Sequence, residues 1–464
     1  MYKKQHIHFV GIGGIGMSGL ARLLLGLGYD VSGSDLRETE ITRSLVQMGG
    51  VVYKGHEAKN VEGADVVVYS SAVKESNPEI RAAMAKGVPV IPRAEMLAEI
   101  MRLKKFGIAV AGAHGKTSTT SMVASVLNSG GLDPTVVIGG KVKSLGANAC
   151  WGQGEFVVAE ADESDGSFLH LTPSIAVVTN IDMEHLDYYS CKDDILDAFT
   201  AFLGRVPFYG LAILCNDDAM SRLILPRIKK RVMTYGIGNG AELEARDISF
   251  GGMGVSYIAF WRGSRLGRID MKVPGLHYLR NSLAAMAVGL ELEIPFECIK
   301  NGLNAYEGVG RRFEVLGDID GITVVDDYAH HPTEIEATLK AARSCWPDRR
   351  FVVLFEPHRY SRTKALMDEF AVAFKEADEV WITEIYPASE TPIVGVSGER
   401  LSRVIKDRSA MSVHFVKACS DLPDAVTGSL RPGDVVFTLG AGSIGQIGRM
   451  ILSKLGSKEM AVAL

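Results

Sequence analysis

Residues 108–120 read IAVAGAHGKTSTT, a short apolar run followed by a glycine-containing loop and a run of small polar residues. Apolar runs of this length suit strands of a parallel sheet that helices bury on both faces. Val110 stands six residues before Lys116, where a full Walker A loop has glycine. The stretch therefore predicts a strand, a shortened phosphate-binding loop and a helix.

The side chains of this loop suit a nucleoside triphosphate. Lys116 can reach the β- and γ-phosphates, the loop N–H groups can surround them, and the Thr117 hydroxyl can bind Mg²⁺. The alternative is a glycine turn with an accidental Lys-Thr pair. The predicted phosphate-binding residues are Gly112, Ala113, His114, Gly115, Lys116, Thr117 and Ser118.

Similar short apolar runs alternate with helical patterns along the whole chain, which is typical of α/β folds. They cover residues 6–10, 66–69, 156–159, 175–179, 322–326, 351–355 and 435–439. Three strand-rich starts predict three domains, at 1–105, 106–313 and 314–464: a Rossmann-like domain, a P-loop-type domain with a mostly parallel sheet, and a second Rossmann-like domain. Alternating residues within 241–273 predict a hairpin layer added to the middle domain.

Composition excludes several classes of protein. The 464 residues carry a net charge of −5, so no basic excess indicates binding to nucleic acid or a membrane surface. Six scattered cysteines form no CxxC pair, and no apolar run reaches the length of a membrane span. We therefore expect a cytoplasmic protein without nucleic-acid or membrane partners. Whether it is a monomer or a homodimer stays open.

A second glycine motif, Gly11-Ile-Gly13-Gly14-Ile-Gly16, follows the first predicted strand and opens a helix. Glycines at this place let a diphosphate approach the backbone and the helix N-terminus. Asp35 ends the next strand, at a spacing where an acid can accept ribose hydroxyls. The motif predicts a diphosphate and leaves open NAD, another nucleotide or a purely structural turn.

Acidic residues follow the strand at 156–159, in the stretch Glu160-Ala-Asp-Glu-Ser-Asp165. Four carboxylates so close repel one another unless a cation lies among them, and a metal ion is the simple remedy. The alternative is that they cap the next helix or face water. For each of Asp162, Glu163 and Asp165 alone, we favour that alternative.

Histidines and arginines follow two strands near the C-terminus, in Asp326-Asp327-Tyr-Ala-His330-His331 and in Glu356-Pro-His-Arg359-Tyr-Ser-Arg362. If the second segment is helical, Arg359 and Arg362 would share a face and could bind a carboxylate. A zinc site and a solvated basic face are the alternatives. A last glycine run, at 440–445, predicts the strand-to-helix turn that closes the final sheet.

Eight short stretches in this order resemble the Mur ligase family over essentially the whole chain. They are HFVGIGGIGMSGLA (8–21), SSAV (70–73), AGAHGKTSTT (111–120), VAEADESDGSFL (158–169), TNIDMEHLDYY (179–189), GVGRRFEVLG (308–317), DDYAHHPTEI (326–335) and FEPHRYSRT (355–363). The resemblance implies an N-terminal domain that binds a uridine diphosphate sugar, a central ATPase domain and a C-terminal domain that closes over both.

The resemblance also implies residue roles. Lys116 would bind ATP phosphates; Thr117, Glu160 and His185 would organise Mg²⁺; and Asn281, Arg312 and Asp327 would complete the catalytic set. The implied substrate-binding residues are Gly13, Gly14, Ile15, Gly16, Asp35, Ser70, Ser71, His330, Arg359 and Arg362. Ala113 and Tyr278 depart from the family pattern, where Thr and Asn are usual, and Lys192 is not a secure match for the carbamoylated lysine of sister enzymes.

The implied activity is an ATP-dependent ligation of L-alanine to the lactyl carboxylate of UDP-N-acetylmuramate through an acyl phosphate, in the cytoplasmic synthesis of peptidoglycan precursors. ATP and Mg²⁺ are the implied cofactors. Three alternatives stay open: a ligase that adds a recycled peptide to the same sugar nucleotide, an NAD-dependent oxidoreductase, and a nucleotide-gated binding module.

Overall fold

The computed structural model describes residues 5–70, 73–139, 149–184, 188–388 and 390–462, the last six of them as backbone only. The chain divides into two compact units. The first comprises Met1–Asp247, Tyr257–Ile269 and Arg280–Tyr306, and the second comprises Ile248–Ser256, Asp270–Leu279 and Glu307–Leu464.

Five parallel strands form the first sheet: β1 His6–Val10, β2 Asp30–Asp35, β3 Val51–Lys54, β4 Val66–Tyr69 and β5 Val90–Pro92. Its helices are α1 Ile15–Gly26, α2 Glu40–Gln47, α3 Pro78–Ala85 and α4 Arg93–Arg102. The strand order is β3-β2-β1-β4-β5, so the winding direction reverses between β1 and β4. Ligands of open α/β sheets bind outside the carboxyl ends of strands at such a point.

The second sheet has ten strands: β6 Phe106–Ala111, β7 Thr135–Val137, β8 Ala149–Cys150, β9 Phe156–Glu160, β10 Ile175–Val178, β11 Leu211–Cys215, β12 Val232–Gly236, β13 Leu243–Gly251, β14 Gly254–Trp261 and β15 Ser264–Met271. Helices α5 Lys116–Ser129, α6 Lys192–Gly204, α7 Ala219–Ile224, α8 Leu276–Glu291 and α9 Phe296–Asn304 accompany it. The order is β15-β14-β13-β12-β11-β10-β6-β9-β7-β8. The strands predicted within 241–273 therefore continue this sheet.

The third sheet contains β16 Glu314–Ile319, β17 Ile322–Asp327, β18 Phe351–Phe355, β19 Glu379–Thr383, β20 Ser412–Val416 and β21 Val435–Leu439. Its helices are α10 Pro332–Cys345, α11 Tyr360–Ala365, α12 Met367–Ala373, α13 Gly398–Arg408, α14 Leu422–Thr427 and α15 Ile447–Val462. The order is β16-β17-β21-β18-β19-β20, and β16 is antiparallel to β17. The glycine run at 440–445 links β21 to the last helix, as predicted.

Apolar side chains bury both faces of the central strands, which is why these strands are short continuous apolar runs. All five residues of β18 and of β21 are buried. One apolar cluster extends from Phe9 in the first sheet to Phe199 beside the second, so these two sheets share a core. The predicted α/β class with mostly parallel sheets is confirmed. None of the helices in the described ranges combines the length and apolar character that crossing a membrane requires.

A fully buried carboxylate, Glu79 of α3, joins the strands of the first sheet. Its side chain accepts hydrogen bonds from the hydroxyl of Ser34 at 2.5 Å and the amide of Asn60 at 2.7 Å, and His56 Nδ1 lies 3.2 Å away. His8 Nε2 lies 3.7 Å from the same carboxylate. Burial acts to raise the pKa of Glu79, but these partners, led by His8, lower it by more, to about 2.

We expect Glu79→Gln to lower the free energy of unfolding of the first unit by about 3 kcal/mol at pH 7, because removing one member of a buried charged network leaves its partners unsatisfied. A carboxylate whose pKa falls on folding stabilises the fold above its unfolded pKa of about 4.5 and loses this effect as the pH falls towards 2. The difference between wild type and variant should therefore shrink across that range. Urea unfolding at pH 7 and pH 3, with the exposed Glu62→Gln as control, measures both effects; a pH-independent difference would contradict the assignment.

Candidate active site

The first glycine motif connects β1 to α1 at the carboxyl edge of the first sheet. The backbone N–H groups of Gly11 and Ile12 donate to the carbonyl of Ser34, at 2.8 and 3.0 Å. Gly13 N donates to Asp35 Oδ2 at 2.9 Å, and Arg37 N donates to its other oxygen at 3.2 Å. Asp35, at the end of β2, therefore fixes the position of the glycine loop. Its contact with a ribose stays a prediction.

No side chain in the described part of the chain caps the N-terminus of α1, which begins after Gly14. Ser70 follows β4 at the same edge, and its hydroxyl lies 3.7 Å from the position of a Cβ built on Gly11. The structure therefore brings the predicted residues Gly13, Gly14, Ile15, Gly16, Asp35 and Ser70 to one edge of the sheet. Ser71 lies outside the described residues.

The second glycine loop connects β6 to α5 and is held by the residues that follow β10. Thr179 Oγ1 and Asn180 Nδ2 donate to the carbonyl of His114, at 2.6 and 2.9 Å, and His114 N donates to Asn180 Oδ1 at 2.8 Å. Gly112 has φ +133°, and a Cβ there would lie 2.1 Å from Thr179 Oγ1. Only glycine fits at position 112, so the loop can stay close to the residues that follow β10 and lead directly into α5.

Lys116, the first residue of α5, is partly buried, with 15% of its side chain exposed, and its ammonium contacts this loop. Its Nζ donates to the carbonyls of Gly112 and Ala113, at 2.6 and 3.2 Å, and to Glu163 Oε1 at 2.9 Å. Burial acts to lower the pKa of Lys116, but the surrounding carboxylates, led by Glu163, raise it by more. The side chain is therefore a fixed positive charge at neutral pH.

Glu163 is 3% exposed and contacts the lysine, so the preferred interpretation that it caps a helix or faces water is wrong. The ammonium of Lys116 lies among the carboxylates of the 160–165 stretch, and this is the cation that their spacing requires. Asp165, in contrast, accepts from Ser167 N at 3.0 Å as a local cap. Sequence reasoning missed Glu163 because a side chain's direction after a strand depends on the loop fold.

Two oxygen-bearing side chains of the predicted metal site, Thr117 and Glu160, contact each other beside the loop. The hydroxyl of Thr117 donates to both carboxylate oxygens of Glu160, at 3.1 and 3.0 Å, and Gly139 N donates to Glu160 Oε2 at 2.8 Å. Glu160 ends β9, which pairs with β6 next to the loop. A carboxylate and a hydroxyl are the hard oxygen ligands that Mg²⁺ prefers, so these residues fit the ion. His185 lies outside the described residues.

Three further predicted residues surround the same loop. The side chain of Asn281 is buried against it, and a Cβ on Gly115 would lie 2.8 Å from Asn281 Oδ1. Ser118 is buried in the first turn of α5. Ala113, which departs from the family pattern, donates its N–H to the carbonyl of Asn180 at 3.2 Å.

In the second unit, Asp327 ends β17 and organises the turn before β16. Its carboxylate accepts from Phe313 N and Ala329 N, both at 2.8 Å. Burial raises the pKa of Asp327 to about 6 against the opposing charge of Arg312. Arg312 Nη1 is 3.5 Å from Glu334 Oε1, and its carbonyl accepts from the Tyr278 hydroxyl at 2.9 Å. The structure thus places Asp327 and Arg312 together.

The histidines and arginines after β17 and β18 also converge. The rings of His330 and His358 lie 5.7 Å apart, and Arg362 Nη1 lies 3.3 Å from His358 Nδ1. Burial and the neighbouring charges, first that of His330, lower the pKa of His358 to about 3. His358 is therefore neutral at pH 7. Like Glu163, it is not among the predicted site residues, because the partial burial of its side chain cannot be recognised from the sequence.

Arg359 and Arg362 would share a helical face only if both were helical, and this condition is not met because α11 begins at Tyr360. Arg359 lies before α11 at φ +72° and its Nε is 3.9 Å from Glu390 Oε1, whereas Arg362 is inside the helix. The hydrogen bond from Arg359 N to the carbonyl of Tyr386, at 2.9 Å, holds this backbone outside the helical region. Both arginines still lie on the segment that follows β18.

Three domain patterns of one family match the chain. The Mur ligase family catalytic domain matches residues 6–105, the Mur ligase middle domain matches residues 110–289, and the Mur ligase glutamate ligase domain matches residues 311–442. The chain belongs to the Mur ligase family. The three-domain organisation predicted from the sequence is thereby confirmed. Mur ligases use ATP, so an NAD-dependent oxidoreductase, one of the alternatives for the first glycine motif, does not fit.

Similar proteins extend over nearly the full length. A UDP-N-acetylmuramate–L-alanine ligase of Trichlorobacter lovleyi is 56% identical over 452 residues, 97% of this chain and 99% of that protein. A crystal structure of UDP-N-acetylmuramate-alanine ligase from Thermotoga maritima aligns with a TM-score of 0.83 at 31% identity, over 98% of this chain and 99% of that one. The structure of a murein peptide ligase from Psychrobacter arcticus aligns with a TM-score of 0.72 at 26% identity, over 97% of this chain and 99% of that one.

Proposed function

We propose that this Mur ligase joins L-alanine to the lactyl carboxylate of UDP-N-acetylmuramate, hereafter UDP-MurNAc, at the expense of ATP, in the synthesis of peptidoglycan precursors. The observation that carries the proposal is 56% identity over nearly the full length to a ligase of that name. The TM-score is 0.83 to the alanine ligase and 0.72 to the murein peptide ligase. This difference favours alanine over a recycled peptide as the added group.

The reaction has two steps because a carboxylate lacks a leaving group that an amine can displace. In the first step, an oxygen of the lactyl carboxylate attacks the γ-phosphorus of ATP, ADP leaves, and an acyl phosphate forms. In the second, the neutral amine of L-alanine attacks the carbonyl carbon, phosphate leaves, and the nitrogen loses a proton. The acyl phosphate hydrolyses readily, so the site must exclude water.

The chain's own residues supply position and charge for the first step. The N–H groups at the start of α5 and the ammonium of Lys116 bind and neutralise the triphosphate, while Thr179 and Asn180 keep the loop in place. Glu163 keeps the ammonium from turning away. Thr117 and Glu160 would hold Mg²⁺, which supplies neutralisation of the phosphate oxygens.

In the second unit, His330, Arg359 and Arg362 are proposed to place the carboxylates of the substrates, and Arg312 and Asp327 are proposed to contact ATP. A guanidinium binds a carboxylate by two parallel N–H···O bonds, and this geometry orients the amine. Neutral His358 leaves the positive charge of the segment on the arginines.

The test is phosphate release from ATP by the purified protein, with and without UDP-MurNAc and with each amino acid or the recycled peptide in turn. We expect release only when UDP-MurNAc and L-alanine are both present. Release that needs the peptide would favour the recycling ligase, and release without any acceptor would contradict ligation.

We expect Arg359→Ala to raise the KM for L-alanine or UDP-MurNAc about tenfold or more while the KM for ATP changes by less than about twofold. A hydrogen-bonded charge pair contributes about 1.5 to 3 kcal/mol, and 1.4 kcal/mol is a factor of ten. Alanine has a Cβ, as arginine does, so the substitution should not change the backbone strain at the positive φ of this position, and the fold should persist. Lys364→Ala, an exposed cation of α11, is the matched control. A selective loss of ATP use would contradict the role.

A further inference from the structure

Arg93 belongs to none of the predicted site residues, yet it lies at the sheet edge where the sugar nucleotide is proposed to bind. It is the first residue of α4 and directly follows β5. Strands β1, β4 and β5 are parallel, so their carboxyl ends lie at the same edge of the sheet. Arg93 after β5 therefore lies at the same edge as the glycine loop after β1 and Ser70 after β4.

The side chain of Arg93 crosses the first turn of α1. A Cβ built on Gly16 would lie 3.1 Å from both Cδ and Nη1 of Arg93, so a larger residue at position 16 would require the arginine side chain to shift. The side chain of Arg93 therefore packs closely against the fourth glycine of the motif. The glycine loop and Arg93 form one surface.

The other side of the guanidinium contacts the second nucleotide site. Arg93 Nη2 donates to Asp162 Oδ2 at 3.2 Å, and Asp162 Oδ1 accepts from Ser164 N at 3.1 Å. Asp162 follows β9 and is close enough to Lys116 for the lysine to lower its pKa, against the opposing effect of burial. A single arginine therefore lies between the diphosphate loop and the carboxylates around the ATP-site lysine.

Charge indicates what this arginine binds. The first turn of α1 carries no acidic residue, and its helix dipole places partial positive charge beside the positive guanidinium. Asp162 is one carboxylate, and it also interacts with Lys116. An anion with two charges at the glycine loop would satisfy both positive groups, and the guanidinium fork suits phosphate oxygens. The side chain is 28% exposed, so a ligand can reach it.

We propose that Arg93 is a substrate-binding residue for the diphosphate of the sugar nucleotide, and that its ion pair with Asp162 fixes its guanidinium between the glycine loop and the lysine of the ATP loop. The inference rests on the proposed function, since it takes UDP-MurNAc as the ligand of the first glycine motif. Asp162 is a positioning residue that acts through Arg93.

The experiment measures binding of UDP and of UMP by calorimetry, and the KM values for UDP-MurNAc and ATP, in wild type, Arg93→Ala, Asp162→Asn and the double variant. UDP carries one more phosphate than UMP, so loss of a diphosphate contact lowers UDP affinity more. We expect Arg93→Ala to raise the Kd of UDP about tenfold or more, to raise that of UMP several times less, and to leave the KM for ATP within about threefold.

Asp162→Asn should weaken UDP binding in the wild-type background and change it by less than about twofold in the Arg93→Ala background, since its effect acts through the arginine. Arg102→Ala, at the other end of α4 and exposed, controls for helix stability. Equal loss of UDP and UMP, or additive effects of the two substitutions, would overturn the inference.

Failure of the proposed function gives a different result. If the wild-type protein releases no phosphate with UDP-MurNAc and L-alanine, the proposed function is wrong. If it does, and Arg93→Ala retains the UDP affinity of wild type, only the role of Arg93 is wrong.

Discussion

Lys116→Ala is expected to lower turnover by about a thousandfold while the affinity for UDP-MurNAc stays within about twofold. Cations that neutralise a transferring phosphoryl group contribute on the order of 10³ or more to the rate. The ammonium is partly buried and hydrogen-bonded to the loop carbonyls and to Glu163, so its position is fixed. UDP-MurNAc is proposed to bind at the first glycine motif, whereas the hydrogen bonds of the Lys116 ammonium join it to Gly112, Ala113 and Glu163.

Removing the lysine leaves Glu163 buried without its cation, which costs stability. The double variant Lys116→Ala/Glu163→Gln therefore accompanies the single one, because it removes the uncompensated charge. Lys105→Ala, an exposed cation just before β6, is the control. Phosphate-release rates and calorimetry with UDP-MurNAc measure the two effects. Loss of both turnover and sugar-nucleotide binding in the double variant would show that the two sites are not separate.

Glu160→Gln is expected to lower kcat by about a hundredfold or more and to raise the Mg²⁺ concentration needed for half-maximal rate. The carboxylate lies at the end of β9 and contacts the Thr117 hydroxyl, so glutamine keeps the shape and removes the charge that the ion needs. The free energy of unfolding should change little, since the amide can still contact Thr117.

A Mg²⁺ titration of the phosphate-release rate measures this effect, with Glu155→Gln as control because Glu155 is an exposed carboxylate just before the same strand. A variant that shows the wild-type Mg²⁺ dependence together with a normal rate would remove Glu160 from the proposed metal site.

Most of the fold could be predicted from local patterns. The predicted ends of β1 and β21 agree with those in the structure. Buried parallel strands are continuous apolar runs, and glycine loops end these two abruptly. Lys116 and Thr117 could be predicted for the same reason, since a strand, a loop and a helix in sequence fix where both side chains point.

Side chains that meet from distant parts of the chain could not be predicted. Glu163 and Lys116 are 47 residues apart, and Arg93 and Asp162 are 69 apart, so no local pattern joins them. Whether Arg359 belongs to a helix could not be predicted either, because its backbone N–H donates to the carbonyl of Tyr386, beyond β19, and its φ is positive.

The sequence by itself determined the α/β class, the two glycine loops and the residue types available for phosphate and metal chemistry, because backbone periodicity and loop geometry are local properties. The tertiary structure alone decided which carboxylate neutralises Lys116, which aspartate fixes the first glycine loop and which arginine lies against Gly16. Those contacts depend on the order in which parallel strands pair, and strand order follows from packing across the whole sheet.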